Sequence, residues 1–303
     1  MKIKVIKIGG NVVDNEVLLE QFAKDFAALE GPKILVHGGG VAASRMQKQL
    51  GMEPQMVAGR RVTDDGTLQI VTMVYAGWCN KHITALLQKN GCNAIGMTGA
   101  DGNAICASRR PPMMIEGHGT VDFGHVGDVT PESINPGFLM QLLSAGLTPV
   151  FCAINHDGNG HLLNTNADTV ASSIAVAFAN FPAPDGNGAE TSSIKDPGQA
   201  SDSREKTDKG TGPTKNSRHE VELIYCFEKD GVLHDKDDDS SLIPVLTHES
   251  YMELRQEGRI ADGMIPKLDN SFQAMDAGVA KVIIKHAGNL NSDKGTVLTK
   301  DRQ

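Results

Sequence analysis

Lys7 stands where an apolar side chain would be expected. It interrupts the apolar run Val5-Ile6-Ile8 immediately before Gly9-Gly10. A lysine buried at this position would be costly without an anionic partner. Consecutive glycines after a buried strand let the backbone approach an anion closely, because several N–H groups can point at one oxygen. These residues therefore predict an anion site beside Lys7.

A second glycine turn, His37-Gly38-Gly39-Gly40, follows the apolar run 34–36. One such turn could be a tight strand-to-helix connection with no ligand. Two turns separated by a single helical pattern should lie at the same edge of one parallel sheet, where open α/β sheets bind ligands. A helix after each turn would add its positive N-terminal end. We therefore predict that this edge holds the phosphates of a nucleotide.

The common nucleotide and metal motifs are absent. The sequence contains no G-x-x-x-x-G-K-[ST], no G-x-G-x-x-G after either strand and no protein-kinase motif set. Asp235–Asp239 resembles the start of a calcium loop, but Ser240 and Leu246 occupy the positions that require Gly and Glu. We interpret this run as a solvated acidic loop. His156 and His161 belong to no HExxH motif and are interpreted as structural.

Composition excludes several functional classes. The net charge of -8 over 303 residues argues against a non-specific nucleic-acid binder. No apolar run reaches the roughly 18 residues of a membrane span. The chain enters its first strand at once, so we expect no signal peptide. The five cysteines form no CxxC pair, which predicts reduced thiols in a cytoplasmic protein. They are Cys79, Cys92, Cys106, Cys152 and Cys226.

Strands and helices are predicted to alternate through most of the chain. Asp14 is the expected N-cap of the first long helix, whose apolar stripe is Leu18, Phe22, Phe26 and Leu29. Further helices are predicted at 41–50, 67–90, 136–145, 168–181, 247–256 and 262–277. Strands are predicted at 94–96, 148–154, 221–227, 281–285 and 295–299, with hairpins within 104–129 and a polar loop at 59–64.

This alternation predicts an α/β fold, a three-layer α/β/α sandwich with a largely parallel central sheet. We expect a single domain, 1–303, with an N-terminal lobe at 1–163 and a C-terminal lobe at 164–303. Residues 182–219 are dense in Gly, Ser, Asp, Lys and Pro. They are interpreted as a mobile surface insertion, because they have too few apolar side chains to order themselves.

Five motifs, in this order along the chain, resemble those of the amino acid kinase family. They are Lys7–Gly10, His37–Gly40, Gly59–Thr63, the Asn-x-Asn-Ala-Asp motif Asn164–Asp168, and Asp262–Lys267. The resemblance covers nearly the whole chain except 182–219. The arginine loop and the Asn-x-Asn-Ala-Asp motif together favour the members that phosphorylate an acylated glutamate over carbamate kinase, aspartokinase and glutamate 5-kinase.

The resemblance implies transfer of the γ-phosphoryl group of ATP to the side-chain carboxylate of an N-acyl-L-glutamate in arginine biosynthesis. N-acetyl-L-glutamate is the favoured substrate. ATP is the implied co-substrate, and Mg²⁺ is expected to complete charge neutralisation. Lys7 and Lys267 are the implied catalytic cations, bracketing the moving group, with Asp168 between them. An N-terminus without an extra helix is expected of a homodimer that arginine does not inhibit.

The remaining site residues follow from the same resemblance. Arg61 would bind the substrate α-carboxylate and Asn164 the acylated amino group, with Gly39 and Gly40 supplying N–H groups. The residues expected to bind the nucleotide and its phosphates are Gly9, Gly10, Glu228, Gly231, Ile260 and Ala261. Two departures from the family pattern stand out. Phe227-Glu228 replaces its usual Thr/Ser-Asp pair, and Pro266 lies within the lysine motif, where it could set the helix start.

Three alternatives stay open at this point. The acyl group could be succinyl instead of acetyl. Only the pocket beyond the amide nitrogen would distinguish the two, and we expect residues 99–102 and 124–129 to line it. The chain could be another amino acid kinase, similar to glutamate 5-kinase or carbamate kinase. It could also be a non-catalytic nucleotide sensor, which would keep the glycine cradle but would not need Lys7, Asp168 and Lys267 together.

Overall fold

The computed structural model describes residues 1–183, 218–235, 237–260 and 263–300. Its strands are β1 Lys2–Ile8, β2 Lys33–His37, β3 Met56–Val57, β4 Arg60–Arg61, β5 Ala94–Met97, β6 Ser108–Arg109, β7 Met113–Ile115, β8 Gly119–Val121, β9 Gly127–Asp128, β10 Thr148–Cys152, β11 Ile154–His156, β12 Leu162–Asn164, β13 Glu220–Phe227, β14 Val245–Thr247, β15 Lys281–His286 and β16 Thr296–Thr299.

The α-helices of the same residues are α1 Gly10–Asp14, α2 Glu16–Ala28, α3 Gly40–Gln49, α4 Asp65–Thr72, α5 Asn80–Lys89, α6 Pro136–Ser144, α7 Ala167–Asn180, α8 His248–Gln256 and α9 Ile265–Asp276. A π-helical segment, Met73–Cys79, joins α4 to α5. None of the helices described is both long and apolar enough to cross a membrane.

An eight-stranded sheet runs through the described residues in the order β14-β16-β15-β13-β1-β2-β10-β5. Every neighbouring pair is parallel except β15 and β16. Helices α2 and α5 bury apolar residues on one face, and α7 and α9 do so on the other. The prediction of an α/β sandwich with a largely parallel sheet is confirmed.

The central strand β1 packs both faces of the sheet, because successive side chains of a strand point to opposite sides. Ile3 and Val5 belong to the apolar cluster that includes α7. Ile6 and Ile8 belong to the cluster that includes α2. Lys7 therefore continues the row that faces α7, which places its ammonium group beside the first turn of that helix.

Two local predictions are wrong. The N-cap of α2 is Asn15, whose side-chain oxygen accepts from the N–H of Leu18 at 3.1 Å, whereas Asp14 is the last residue of α1. The predicted loop 59–64 contains the short strand β4, which pairs with β3 through Met56 and Arg61. The first difference arises because Asn15, the residue after Asp14, caps the N–H of Leu18. The second arises because Arg60 and Arg61 pair with the adjacent strand β3 in a tight hairpin.

The helix predicted at 67–90 contains the π segment, which accommodates an extra residue per turn. Tyr75 and Cys79 are buried, whereas Met73 and Trp78 on the same stretch are 59% and 70% exposed. At the predicted insertion, Pro182 forms a β-bridge with Arg218. Residues 184–217, and with them the expected mobility of the insertion, lie outside the described part of the chain.

Gly231 packs against β16, which gives a test of the fold. A Cβ at Gly231 would lie 2.5 Å from Thr296 Oγ1 and 2.9 Å from its backbone nitrogen. That hydroxyl accepts from the N–H of Val232 and donates to Ile243. We expect Gly231→Ala to lower the free energy of unfolding by about 1–3 kcal/mol, because the added methyl group overpacks this contact. Urea titration of the two proteins measures the difference.

The matched control is Gly137→Ala in α6, where a Cβ would come no closer than 3.6 Å to any neighbour. It should leave the stability within about 1 kcal/mol of the parent, since alanine suits a helix better than glycine. Equal effects of the two substitutions would contradict the packing described for Gly231.

Candidate active site

A cavity of about 670 Å³ opens at the carboxyl ends of β13, β1 and β2. The three strands end at one level, because Ile8 pairs with His37 on one side and with Cys226 on the other. The cavity is lined by Lys7, Gly9, Gly10, Asn11, Gly38, Gly39, Gly40, Val41, Ser44, Met56, Arg61, Tyr225, Cys226, Phe227, Glu228, Gly263, Met264 and Lys267.

Both predicted glycine turns line this cavity, and their shape leaves space for a ligand. None of these glycines has a positive φ that would demand glycine. A Cβ on Gly9, Gly10 or Gly40 would approach no protein atom closer than 3.6 Å, and one on Gly38 would meet none within 4 Å. Only at Gly39 does the protein itself exclude a Cβ, which would lie 2.7 Å from Tyr75. The missing side chains therefore keep the cavity open.

Helices α1 and α3 begin at Gly10 and Gly40, so both direct their N-terminal ends toward the cavity. Within the described residues, the N–H groups of Gly10, Gly39 and Gly40 donate to no backbone carbonyl. Unpaired N–H groups at helix starts carry partial positive charge and suit anions. These N–H groups can therefore donate hydrogen bonds to phosphate or carboxylate oxygens in the cavity.

Asp168 lies between the two lysines. Its Oδ1 is 2.7 Å from Lys7 Nζ and its Oδ2 is 3.0 Å from Lys267 Nζ. The three side chains retain only 12–21% exposure, so water screens the pairs weakly. Two ammonium groups on one carboxylate leave a net positive charge beside the glycine turns.

The pKa of Asp168 reflects this arrangement. Burial alone would raise the pKa of the carboxyl group, but the ammonium groups of Lys7 and Lys267 outweigh burial and lower it to about 2. The carboxyl group is therefore ionised throughout the neutral range, and it holds both lysine side chains in fixed positions.

Three elements distant in sequence position these charges, and they are β1, which carries Lys7, with α7 and α9. Asp168 lies in the first turn of α7, where the side chain of Asn166 caps the N–H groups of Asp168 and Thr169. Lys267 lies in the first turn of α9, which contains Pro266. The ammonium group of Lys267 also lies 5.7 Å from the ring centre of Tyr225 and 5.6 Å from that of Phe227, a cation–π arrangement.

Arg61 reaches the same cavity from β4 and is 9% exposed. Its Nη2 donates to the carbonyl of Gly40 at 3.0 Å and to Ser44 Oγ at 2.6 Å, and its Nη1 donates to Gln47. These contacts all come from α3. Arg61 is thus fixed against the helix that starts at the second glycine turn.

Other predicted site residues lie away from the cavity lining. Asn164 is 8% exposed and donates to Thr63 Oγ1 at 3.1 Å. Gly231 packs on Thr296, and Ile260 is buried in the apolar core. Ala261 lies outside the described residues.

Glu228 lines the cavity, and its Oε1 accepts from Asn11 Nδ2 at 2.8 Å. This bond connects the first glycine turn to the end of β13. The motifs did not identify Asn11 or Ser44 as site residues. Positional signals were present, since Asn11 directly follows Gly10 and Ser44 lies one helical turn after Gly40. No cluster of three or more metal-binding side chains occurs in the ranges that the structure describes.

Comparisons with known proteins show what the chain is similar to. A model of the amino acid kinase family matches residues 2–179. Acetylglutamate kinase of Phocaeicola vulgatus is 46% identical over 299 residues, 99% of this chain and 99% of the relative. Acetylglutamate kinase of Cytophaga hutchinsonii is 47% identical over 289 residues, 95% of this chain and 93% of the relative.

Solved structures share the fold. N-acetylglutamate synthase from Neisseria gonorrhoeae, complexed with coenzyme A and N-acetyl-glutamate, has a TM-score of 0.71 at 19% identity. The alignment covers 99% of this chain but only 60% of the synthase. Carbamate kinase from Giardia lamblia bound to AMP-PNP has a TM-score of 0.58 at 15% identity, with 99% of each chain covered.

The ion pairs of Asp168 make stability depend on pH. A carboxyl pKa near 2 in the folded chain, against 3.8 ordinarily, means that folding favours the ionised form. The stabilisation is complete above the ordinary pKa and is lost as pH falls through the folded one. We expect Asp168→Asn to cost about 2 kcal/mol of unfolding free energy at pH 7 and about 1 kcal/mol at pH 3.

Urea unfolding at both pH values measures this difference. Asp276→Asn is the control, because Asp276 is 80% exposed and its pair with Lys300 spans 3.8 Å. Surface pairs of that kind contribute little. A cost for Asp168→Asn that stays constant between pH 7 and pH 3 would contradict the assignment.

Proposed function

The chain belongs to the amino acid kinase family, and on that premise we propose that it transfers the γ-phosphoryl group of ATP to the side-chain carboxylate of N-acetyl-L-glutamate. The product is an acyl phosphate, and the reaction would serve arginine biosynthesis. The observation that carries the proposal is that Lys7 and Lys267, joined by Asp168, line the same cavity as the two open glycine turns. Near-full-length similarity to acetylglutamate kinases supports the choice of substrate.

The chemistry requires charge neutralisation more than proton transfer. A carboxylate acceptor is already ionised at neutral pH, so it needs no general base. The difficulty is to bring two anions together while charge builds on the moving group. Fixed cations and N–H groups lower that barrier by positioning and electrostatic stabilisation.

The residues around the cavity can take these roles in order. Lys7 and Lys267 stabilise the phosphoryl group from two sides, and Asp168 holds their ammonium groups in place. Gly9 and Gly10 approach the nucleotide phosphates, with Glu228 at the end of the neighbouring strand β13. Gly39 and Gly40 supply N–H groups on the acceptor side.

Arg61 is the proposed partner of the substrate α-carboxylate, because it is a cation with one face on the cavity and the other anchored to α3. Asn164 is proposed to bind the acylated amino group. Its amide is paired with Thr63, so this role requires that bond to open or to be shared. Gly231, Ile260 and Ala261 keep their nucleotide roles as predictions from the family motifs only.

Mg²⁺ fits this site as a part of the co-substrate and not as a resident metal. Asp168 is already engaged by two lysines, and the described residues offer no carboxylate cage. Mg²⁺ commonly binds through substrate phosphates and water with few protein ligands. We propose that it enters with ATP, where it neutralises phosphate charge.

A homodimer in the cytoplasm is part of the same proposal. Trp78 and Met73 are exposed on the helical segment 65–89, and β5 is the edge strand of the sheet beside α5. An exposed tryptophan, on the helical segment that continues into α5, and an edge strand of the described sheet packed on α5 suit a second copy of the chain. The five cysteines are all free, as expected in a reducing compartment.

Substrate choice is tested by ATP-dependent hydroxamate formation with N-acetyl-L-glutamate, N-succinyl-L-glutamate, free glutamate and carbamate in parallel. Hydroxylamine traps an acyl phosphate, so the assay reads the proposed product directly. We expect the acetyl compound to give the highest kcat/KM. A preference for the succinyl compound would replace the acyl assignment, and turnover of free glutamate alone would contradict the proposal.

The same assay examines Arg61. Arg61→Ala should raise the KM for the acylglutamate at least about tenfold, since it removes a charge-assisted pair, while the KM for ATP changes little. Arg109→Ala is the control, because Arg109 pairs with Asp122 on the surface. An unchanged acylglutamate KM in Arg61→Ala would contradict its assigned role.

The dimer is tested by light scattering after size-exclusion chromatography. Trp78→Lys should give a monomer, because it places a charge in the proposed apolar contact. Val245→Lys is the matched control, since Val245 is 56% exposed at the opposite sheet edge, on β14. A parent chain that is monomeric, or a Trp78→Lys variant that stays dimeric, would overturn this interface.

A further inference from the structure

We infer that His37 is a positioning residue that sets the direction of a peptide N–H in the second glycine turn. The inference rests on the proposed function, since it assigns the purpose of that N–H to the acceptor side of phosphoryl transfer. His37 itself lines no part of the cavity. It acts through the backbone of Gly38 and Gly39.

His37 is fully buried and bonded through both ring nitrogens. Its Nδ1 lies 2.7 Å from the carbonyl oxygen of Gly38, and its Nε2 lies 3.1 Å from Asn80 Nδ2. Asn80 is also fully buried. The bond to Asn80 is buried, whereas the bond to Gly38 is part-buried at the base of the turn. Both bonds lie where the dielectric constant is lower than that of water, which strengthens them.

The partners determine where the ring proton lies. The Gly38 carbonyl can only accept, so Nδ1 must carry the proton and donate. Asn80 presents its NH₂ group to Nε2, because the same group donates to the carbonyl of Val150 at 2.9 Å and its oxygen accepts from Lys81. Nε2 is therefore an acceptor, and the ring has the neutral Nδ1–H form.

Burial lowers the pKa of His37 to about 4, even though the bond to Gly38 acts in the opposite direction. The ring thus stays neutral at physiological pH, and a single tautomer satisfies both neighbours. A protonated ring would turn its Nε2–H toward the NH₂ group of Asn80, so that a donor would face a donor.

The bond to Gly38 has a direct consequence for Gly39. The peptide bond is planar and trans, so the carbonyl of Gly38 and the N–H of Gly39 point in opposite directions. His37 draws the carbonyl into the core, and this turns the N–H away from the core. Gly38 and Gly39 both line the cavity, so the N–H of Gly39 is presented to a ligand there.

The π segment supplies the other side of this turn. Asn80 is the first residue after Met73–Cys79, and Tyr75 within the segment occupies the space where a Cβ of Gly39 would lie. A regular α-helix through 73–79 would rotate Tyr75 and Asn80 relative to each other. The segment therefore lets one helix contact Gly39 through Tyr75 and His37 through Asn80.

Two substitutions of His37 each keep one of its two hydrogen bonds and remove the other. The side-chain amide of Asn reaches the position of Nδ1, so His37→Asn keeps a donor for Gly38. The amide of Gln reaches the position of Nε2, so His37→Gln keeps a partner for Asn80 but loses the donor. Gln nearly preserves the buried volume, whereas Asn leaves a cavity.

We expect His37→Gln to lower kcat about 100-fold, as loss of one preorganised donor does, with the KM for ATP changed less than kcat. His37→Asn should retain kcat within about tenfold of the parent although it is the less stable variant in urea unfolding. An order of activity that follows the order of stability would show a purely structural role and would overturn the inference.

Nitrogen-15 NMR of the histidine rings tests the tautomer without any turnover. His37, assigned by its loss in His37→Gln, should carry its proton on Nδ1 at pH 7. A proton on Nε2 would contradict the inference. If the parent makes no hydroxamate from any acyl substrate, the proposed function fails, whereas the NMR result still decides the geometry of His37 independently.

Discussion

Lys7 and Lys267 lie on either side of Asp168, and their mutual repulsion is the force that the surrounding structure must offset. One carboxylate shared by two ammonium groups stabilises the cluster but leaves it short of one negative charge. The central strand, the first turn of α7 and the first turn of α9 are held in register by the apolar cluster that joins them. The site thus depends on the packing of the whole sheet, and an anionic ligand completes its charge balance.

The glycine turns determine what that ligand can be. At Gly9, Gly10, Gly38 and Gly40, neither sterics nor a positive φ excludes a side chain, so the space there is left for an occupant. Two helix starts, two lysines and Arg61 surround it. A polyanion bound beside a carboxylate ligand would neutralise these positive groups, whereas an apolar ligand would leave their charges unpaired. Similarity to acetylglutamate kinases and the local electrostatics therefore both support the proposed phosphoryl transfer to a carboxylate.

Local patterns predict much of this arrangement, because apolar runs that end in glycine reveal both the parallel strands and their ligand edge. What they cannot predict depends on contacts between distant residues. The amino-acid composition of 73–79 does not distinguish a π-helix from an α-helix. Asp14 and Asn15 are both good N-cap residues, and only the folded structure shows which one caps α2. Gly231 is a predicted nucleotide contact, and its close packing on Thr296 is a further constraint that the sequence does not reveal. The bond between His37 and Asn80 becomes visible only once the fold joins β2 to α5.

The most direct test of the central claim is calorimetric binding of Mg-ADP with aluminium fluoride and N-acetyl-L-glutamate, which mimics phosphoryl transfer. If the two lysines stabilise the moving group, Lys7→Met and Lys267→Met should each weaken this complex by about 100-fold or more. Binding of Mg-ADP alone should weaken by no more than about tenfold. Equal losses for the two ligands, or no loss for either, would contradict the account.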